Sequence, residues 1–66
     1  MKNRIKIERA ILDLTQDDLA KKIGVSRQTI NSIEKGHYVP STLLSLKLSE
    51  LFQKPIIEFF FLDDTD

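Results

Sequence analysis

Cysteine and tryptophan are absent from this chain of 66 residues, and it has only two glycines, two prolines and one histidine. Without cysteine there are no disulfide staples and no thiolate metal sites, which is compatible with a reducing cytosol. The single histidine, His37, rules out a site of paired imidazoles and has no evident partner for acid–base work. Because it follows Gly36, it reads as a loop residue facing solvent or phosphate. No glycine-rich phosphate loop or nucleophile elbow appears, so the chain is not expected to be an enzyme or to carry a cofactor. Asp63, Asp64 and Asp66 have the chemistry to hold a divalent cation weakly, but a solvated tail is the better reading, and no metal site is expected. Long apolar runs are also missing. Nothing approaches the ~20 residues of a membrane span, and the amino terminus lacks the apolar core of a signal peptide. The expectation is a soluble, cytoplasmic protein.

Net charge is missing too: ten basic residues balance ten acidic ones, which at first argues against a nucleic-acid partner. The distribution changes that conclusion. Residues 1–55 carry all ten bases and six acids, a net +4, whereas residues 56–66 carry Glu58, Asp63, Asp64 and Asp66, a net −4. A bipolar molecule can turn its basic face to phosphates and its acidic tip away.

The most informative segment is Thr15 to Pro40. Thr15 is suited to cap a helix by accepting the Asp18 backbone N–H, and Asp17 and Asp18 place negative charge at the positive end of its dipole. Leu19, Ala20 and Ile23 form the apolar stripe, and Asp17 with Lys21 and Asp18 with Lys22 are spaced for exposed pairs. Gly24 ends this helix, because glycine takes positive φ without steric cost. Ser26 then caps a second helix, Arg27 to Lys35. In it Ile30 and Ile33 turn inward, with Val25 just before them, while Arg27, Gln28, Thr29, Asn31, Ser32 and Lys35 turn outward.

An outer face of guanidinium, carboxamides and hydroxyls, with no carboxylate near its start, suits the major groove. Arginine can bond guanine O6 and N7 together, and glutamine can do the same to adenine N6 and N7. The plainer alternative is a solvated polar face, which any one of these residues alone would favour. Their ordered combination points to DNA.

The segment resembles the lambda-repressor-like, or Xre-type, helix-turn-helix regulators. Leu14, Thr15, Gln16, Leu19, Ala20, Gly24, Val25, Ser26, Ile30, Ile33, Glu34 and Gly36 carry the resemblance, followed by Pro40 before the expected fourth helix. Within that family the chain looks most like the small dimeric repressors of the cytolysin-operon type. The likeness lies in the run SRQTIN at Ser26 to Asn31, the spacing to Tyr38 and Pro40, and the length. The resemblance implies base contacts from Arg27, Gln28, Thr29 and Ser32, and phosphate contacts from Thr15, Gln16, Asn31, Lys35 and Tyr38. It also implies a partly buried structural ion pair between Arg9 and Glu34.

The flanks complete a mainly α fold of five helices with a short carboxyl-terminal strand. A first helix is expected from about Arg4 to Asp13 with Asn3 available as its cap. It carries one stripe of Ile5, Arg9 and Leu12 and another of Ile7, Ala10, Ile11 and Leu14, so one stripe is left needing a partner. Ser41 caps a fourth helix to about Phe52 with Leu44, Leu48, Leu51 and Phe52 as core, and Pro55 suits the first position of a short fifth. The run Ile56 to Leu62 holds three of the four phenylalanines. Phe59 reads as core on its helical spacing from Ile56, while Phe60 to Leu62 match the strand that joins subunits in the small repressors.

A chain this short buries only about 60% of its unfolded surface, and a symmetric dimer would supply the missing core. The interface is expected from Phe60, Phe61 and Leu62 with Ile7 and Ile11. The domain division is then 1–59 for DNA binding and 60–66 for the dimerisation strand and acidic tip. The expected activity is sequence-specific binding of double-stranded DNA as a homodimeric repressor of a palindromic operator. The competing class is an antitoxin or protein-interaction module with an unknown protein partner, since a fold does not fix its use. Such a surface would favour apolar anchors on the outer face of the second motif helix, where this chain has polar groups.

Overall fold

The computed structural model describes residues 1–66. Strand β1 (Lys2–Asn3) leads into α1 (Ile5–Ile11), α2 (Gln16–Ile23), α3 (Arg27–Glu34) and α4 (Thr42–Phe52). A 3₁₀ turn at Ile56–Glu58 and strand β2 (Phe60–Phe61) close the chain. The fold is therefore mainly α with four α-helices. The expected fifth helix is that single 3₁₀ turn, which Pro55 precedes at its N-cap position.

Local chemistry sets the helix ends. Thr15 Oγ1 accepts the Asp18 N–H at 3.0 Å and Asp18 Oδ2 accepts the Thr15 N–H at 3.0 Å, a closed capping box. Because the Asp18 carboxylate turns back to Thr15, only Asp17 forms its exposed pair, with Lys21 at 3.1 Å, and the expected Asp18–Lys22 pair is absent. Ser26 and Ser41 cap α3 and α4 by accepting the N–H groups of Thr29 and Leu44. Gly24 ends α2 at φ 78°, in the left-handed region.

The first helix is shorter than its sequence suggests. It stops at Ile11 because Asp13 takes φ 57°, and the N–H groups of Asp13 and Leu14 fold back onto the carbonyls of Ala10 and Arg9. Arg4, not Asn3, occupies the N-cap position; Asn3 lies in β1 and its Oδ1 accepts the Ile5 N–H at 3.2 Å.

The core joins Ile5, Leu19, Ala20, Ile23, Ile30, Ile33, Leu44, Leu48, Phe52, Phe59 and Phe60. Helix α1 gives it only Ile5; its other buried residue is Glu8, whose Oε1 accepts from Lys54 Nζ at 2.8 Å. Leu12, expected on the inward stripe, is exposed along with Ile7 and Ile11. Phe59 packs edge-on to Phe52 with centroids 5.2 Å apart and leans on Phe60 at 5.3 Å. β2 pairs antiparallel with β1, Lys2 opposite Phe61 and Asn3 opposite Phe60, and Arg4 N–H donates to Phe59 O at 2.8 Å. Residues 60–61 are thus stitched to the start of the chain. Phe60, expected at a subunit interface, lies in the monomer core because the antiparallel register turns it inward and Phe61 outward.

Candidate nucleic-acid interface

Helices α2 and α3 pack on each other, with Leu19, Ala20 and Ile23 of one and Ile30 and Ile33 of the other buried between them. At about 100° per residue, Ile30 and Ile33 fix the inward direction of α3 and place Gln28 and Lys35 nearly opposite it, with Ser32 on the flank away from α2. Arg27 and Asn31 flank that face on the side of α2. Thr29 falls on the other flank, where its Oγ1 lies 2.9 Å from Ser26 Oγ and it lines a shallow groove with Val25 and Tyr38. Of the side chains expected to read bases, Arg27 and Gln28 are exposed at the amino-terminal end of α3, Ser32 is half-buried one turn on, and Thr29 is turned off the face.

Helix α3 is anchored at its far end by polar groups. Arg9 grips Glu34 with two bonds, Nε to Oε2 at 2.7 Å and Nη2 to Oε1 at 3.2 Å, while its Nη1 donates to Leu14 O at 2.9 Å. Asn3 Nδ2 donates to Ile33 O at 2.8 Å. The helix then ends with Gly36 at φ 77°, the Gly36 N–H reaching Ile33 O and the His37 N–H reaching Ser32 O. These bonds satisfy the Ser32 and Ile33 carbonyls and tie the end of α3 to α1 and β1.

Around this face, Lys35, His37 and Tyr38 are exposed beyond the carboxyl end of α3, and Thr15 is exposed at the start of α2. The Thr15 hydroxyl accepts the Asp18 N–H. Gln16 Nε2 donates inside the protein to Asn31 Oδ1 at 3.2 Å and Glu34 Oε1 at 3.1 Å. Among the residues expected at a dimer interface, Ile7, Ile11, Phe61 and Leu62 are exposed, Leu62 most of all at 80%. Sequence reasoning missed the buried Glu8 with its Lys54 partner and the Gln16–Asn31 bond. No group of residues suited to a metal is present, and no helix is long and apolar enough to cross a membrane.

Two capped helices bent around a glycine, with the second presenting an anchored polar face, define a helix-turn-helix DNA-binding unit. The family model described as helix-turn-helix matches residues 5–59, and the chain belongs to this family, in its lambda-repressor-like branch. An uncharacterized HTH-type transcriptional regulator of Methanocaldococcus jannaschii is 52% identical over 66 residues, covering all of both chains. Another from Bacillus subtilis is 44% identical over 64 residues, 97% of each chain. A third, from Archaeoglobus fulgidus, is 44% identical over 66 residues, all of this chain and 94% of the other. The protein is a DNA-binding transcriptional regulator of the helix-turn-helix class.

Proposed function

We propose that the protein acts in the cytoplasm as a homodimeric repressor, placing one copy of α3 in the major groove of each half of a two-fold symmetric operator. The observation that carries this reading is the outer face of α3, where Arg27 and Gln28 stand exposed on a helix anchored at its other end. Arg27 is assigned to guanine O6 and N7 and Gln28 to adenine N6 and N7, with Ser32 further along the groove. Thr15, Lys35 and Tyr38 are assigned to the phosphates on either side, fixing register without reading sequence.

The second copy is assigned to the exposed Ile7, Ile11, Phe61 and Leu62, and the two-stranded sheet leaves one edge of β2, which contains Phe61, unpaired. A two-fold axis there would set two α3 helices about 34 Å apart, one turn of DNA. Repression follows from occupying a promoter. Selection of bound duplexes from a random pool is the test. Recovery of a two-fold symmetric site with half-sites one turn apart is expected; a pool that stays random after repeated rounds would overturn the reading.

A further inference from the structure

The polar groups between α1, α2 and α3 form a chain whose donor and acceptor directions are all fixed. Arg9 can only donate, so the Glu34 carboxylate accepts from it at 2.7 and 3.2 Å. A carboxylate can only accept, so the Gln16 group 3.1 Å from Glu34 Oε1 must be its amide nitrogen and not its oxygen. That same nitrogen lies 3.2 Å from the Asn31 carboxamide, and two amide nitrogens cannot face each other, so Asn31 must offer Oδ1. Both Gln16 amide hydrogens are then used within the protein. Asn31, with its oxygen turned toward α2, is left presenting Nδ2 on the flank of α3 between the rows of Arg27 and Gln28.

We infer that Asn31 is a hydrogen-bond donor to the duplex whose carboxamide is fixed by Gln16, and that Gln16 is a positioning residue and not a phosphate ligand. The inference rests on the DNA-reading role proposed for α3. It specifies what Asn31 can recognise: an acceptor atom, supplied by guanine N7 or O6, adenine N7, thymine O4, or a phosphate oxygen. The paired contact of asparagine with adenine N6 and N7 needs Oδ1 as well, and reaching it would break the bond from Gln16. The fixed polarity therefore rules out that paired contact, and it leaves adenine no advantage over guanine or thymine at the step that Asn31 faces. It also gives Arg9 and Glu34 a second task, since their pairing sets the direction of every bond that follows.

The test uses the full chain and a duplex selected by the unchanged protein. Affinities are measured for Gln16→Met, Asn31→Ala and the double variant. Gln16→Met is expected to weaken binding roughly 3- to 10-fold on its own, the worth of one hydrogen bond, and less than 2-fold when Asn31 is already alanine. Additive losses would overturn the inference, because they mean that Gln16 touches the duplex independently. Asn31→Asp keeps an oxygen toward Gln16 but turns an acceptor outward. On duplexes varied one base pair at a time it is expected to shift preference toward cytosine, whose N4 donates, if the contact is a base edge. If the contact is a phosphate, it should lose affinity on all duplexes alike. Unchanged affinity and preference for Asn31→Asp would contradict the donor role. Failure of the unchanged chain to select any duplex would instead overturn the DNA-reading role itself.

Discussion

Arg9 Nε and Glu34 Oε2 lie 2.7 Å apart, with side chains only 14% and 8% exposed, joining the first helix to the last turn of α3. A pair so placed need not outdo an apolar replacement in stability, but removing one partner strands the other. Arg9→Ala is expected to cost about 3–5 kcal/mol. The whole stability of a domain this size is on the order of 3–10 kcal/mol, so the variant should be close to unfolding. Thermal unfolding followed by circular dichroism checks this, and a melting point within a degree or two of the unchanged protein would contradict it.

The capping box at the start of α2 predicts a pH response. The Thr15 backbone N–H, and then its hydroxyl, hold the exposed Asp18 carboxyl below its ordinary value of 3.8. A group whose pKa is lowered on folding contributes stability that is fully present above the unfolded value and is lost as pH falls through the folded one. The box should therefore be intact at neutral pH and open only as pH falls through a folded value lying below 3.8, with part of the acid sensitivity of stability tracing to this one group. Comparing melting points of the unchanged protein and Asp18→Asn across pH 2 to 6 separates that part. Asp18→Asn should be less stable near pH 6, and the difference should shrink toward pH 2; a constant difference would contradict the assignment.

Much of this fold could be read from the chain because its helix ends are written in local chemistry. Thr15, Ser26 and Ser41 each sit just before an apolar stripe, and Gly24 marks the turn between the two motif helices. The end of α1 could not be read the same way, since the residue in the left-handed conformation is Asp13 and not glycine. Nothing in the local sequence marks Glu8 as buried, because its partner Lys54 is 46 residues away. The pairing of β1 with β2 involves two residues on each side, too few for any alternation to show. The outward direction of Arg27 and Gln28 follows from helical spacing alone, whereas the inward bonds of Gln16 depend on the packing of α2 against α3.

Lys35 caps α3 and is exposed, with no ion-pair partner. As a phosphate contact it carries charge but no sequence information. Lys35→Ala should weaken all duplexes similarly and reduce the log–log dependence of affinity on salt by about one unit. Titrations at several salt concentrations check this; an altered base preference would move Lys35 into the reading set.

The exposed Phe61 and Leu62 predict the assembly state. Replacing both by lysine should give a monomer with much weaker operator affinity, although every DNA-facing side chain remains, because the two half-sites are no longer read together. Phe60 should not be included in that variant, since it is 7% exposed and its loss would damage the core. Sedimentation at micromolar concentration is the check. A native chain that is a clean monomer and still binds a palindromic site tightly would contradict the dimer.

Arg27 and Gln28, exposed at the amino-terminal end of α3, are the residues assigned to the bases. The most direct measurement is the ratio of affinities for a selected operator and a random duplex, compared between the unchanged protein and Arg27→Ala or Gln28→Ala. Each substitution should cost about 1–3 kcal/mol on the operator, far less on the random duplex, and relax preference at one or two base pairs. Equal losses on both duplexes, with the ratio preserved, would contradict the account.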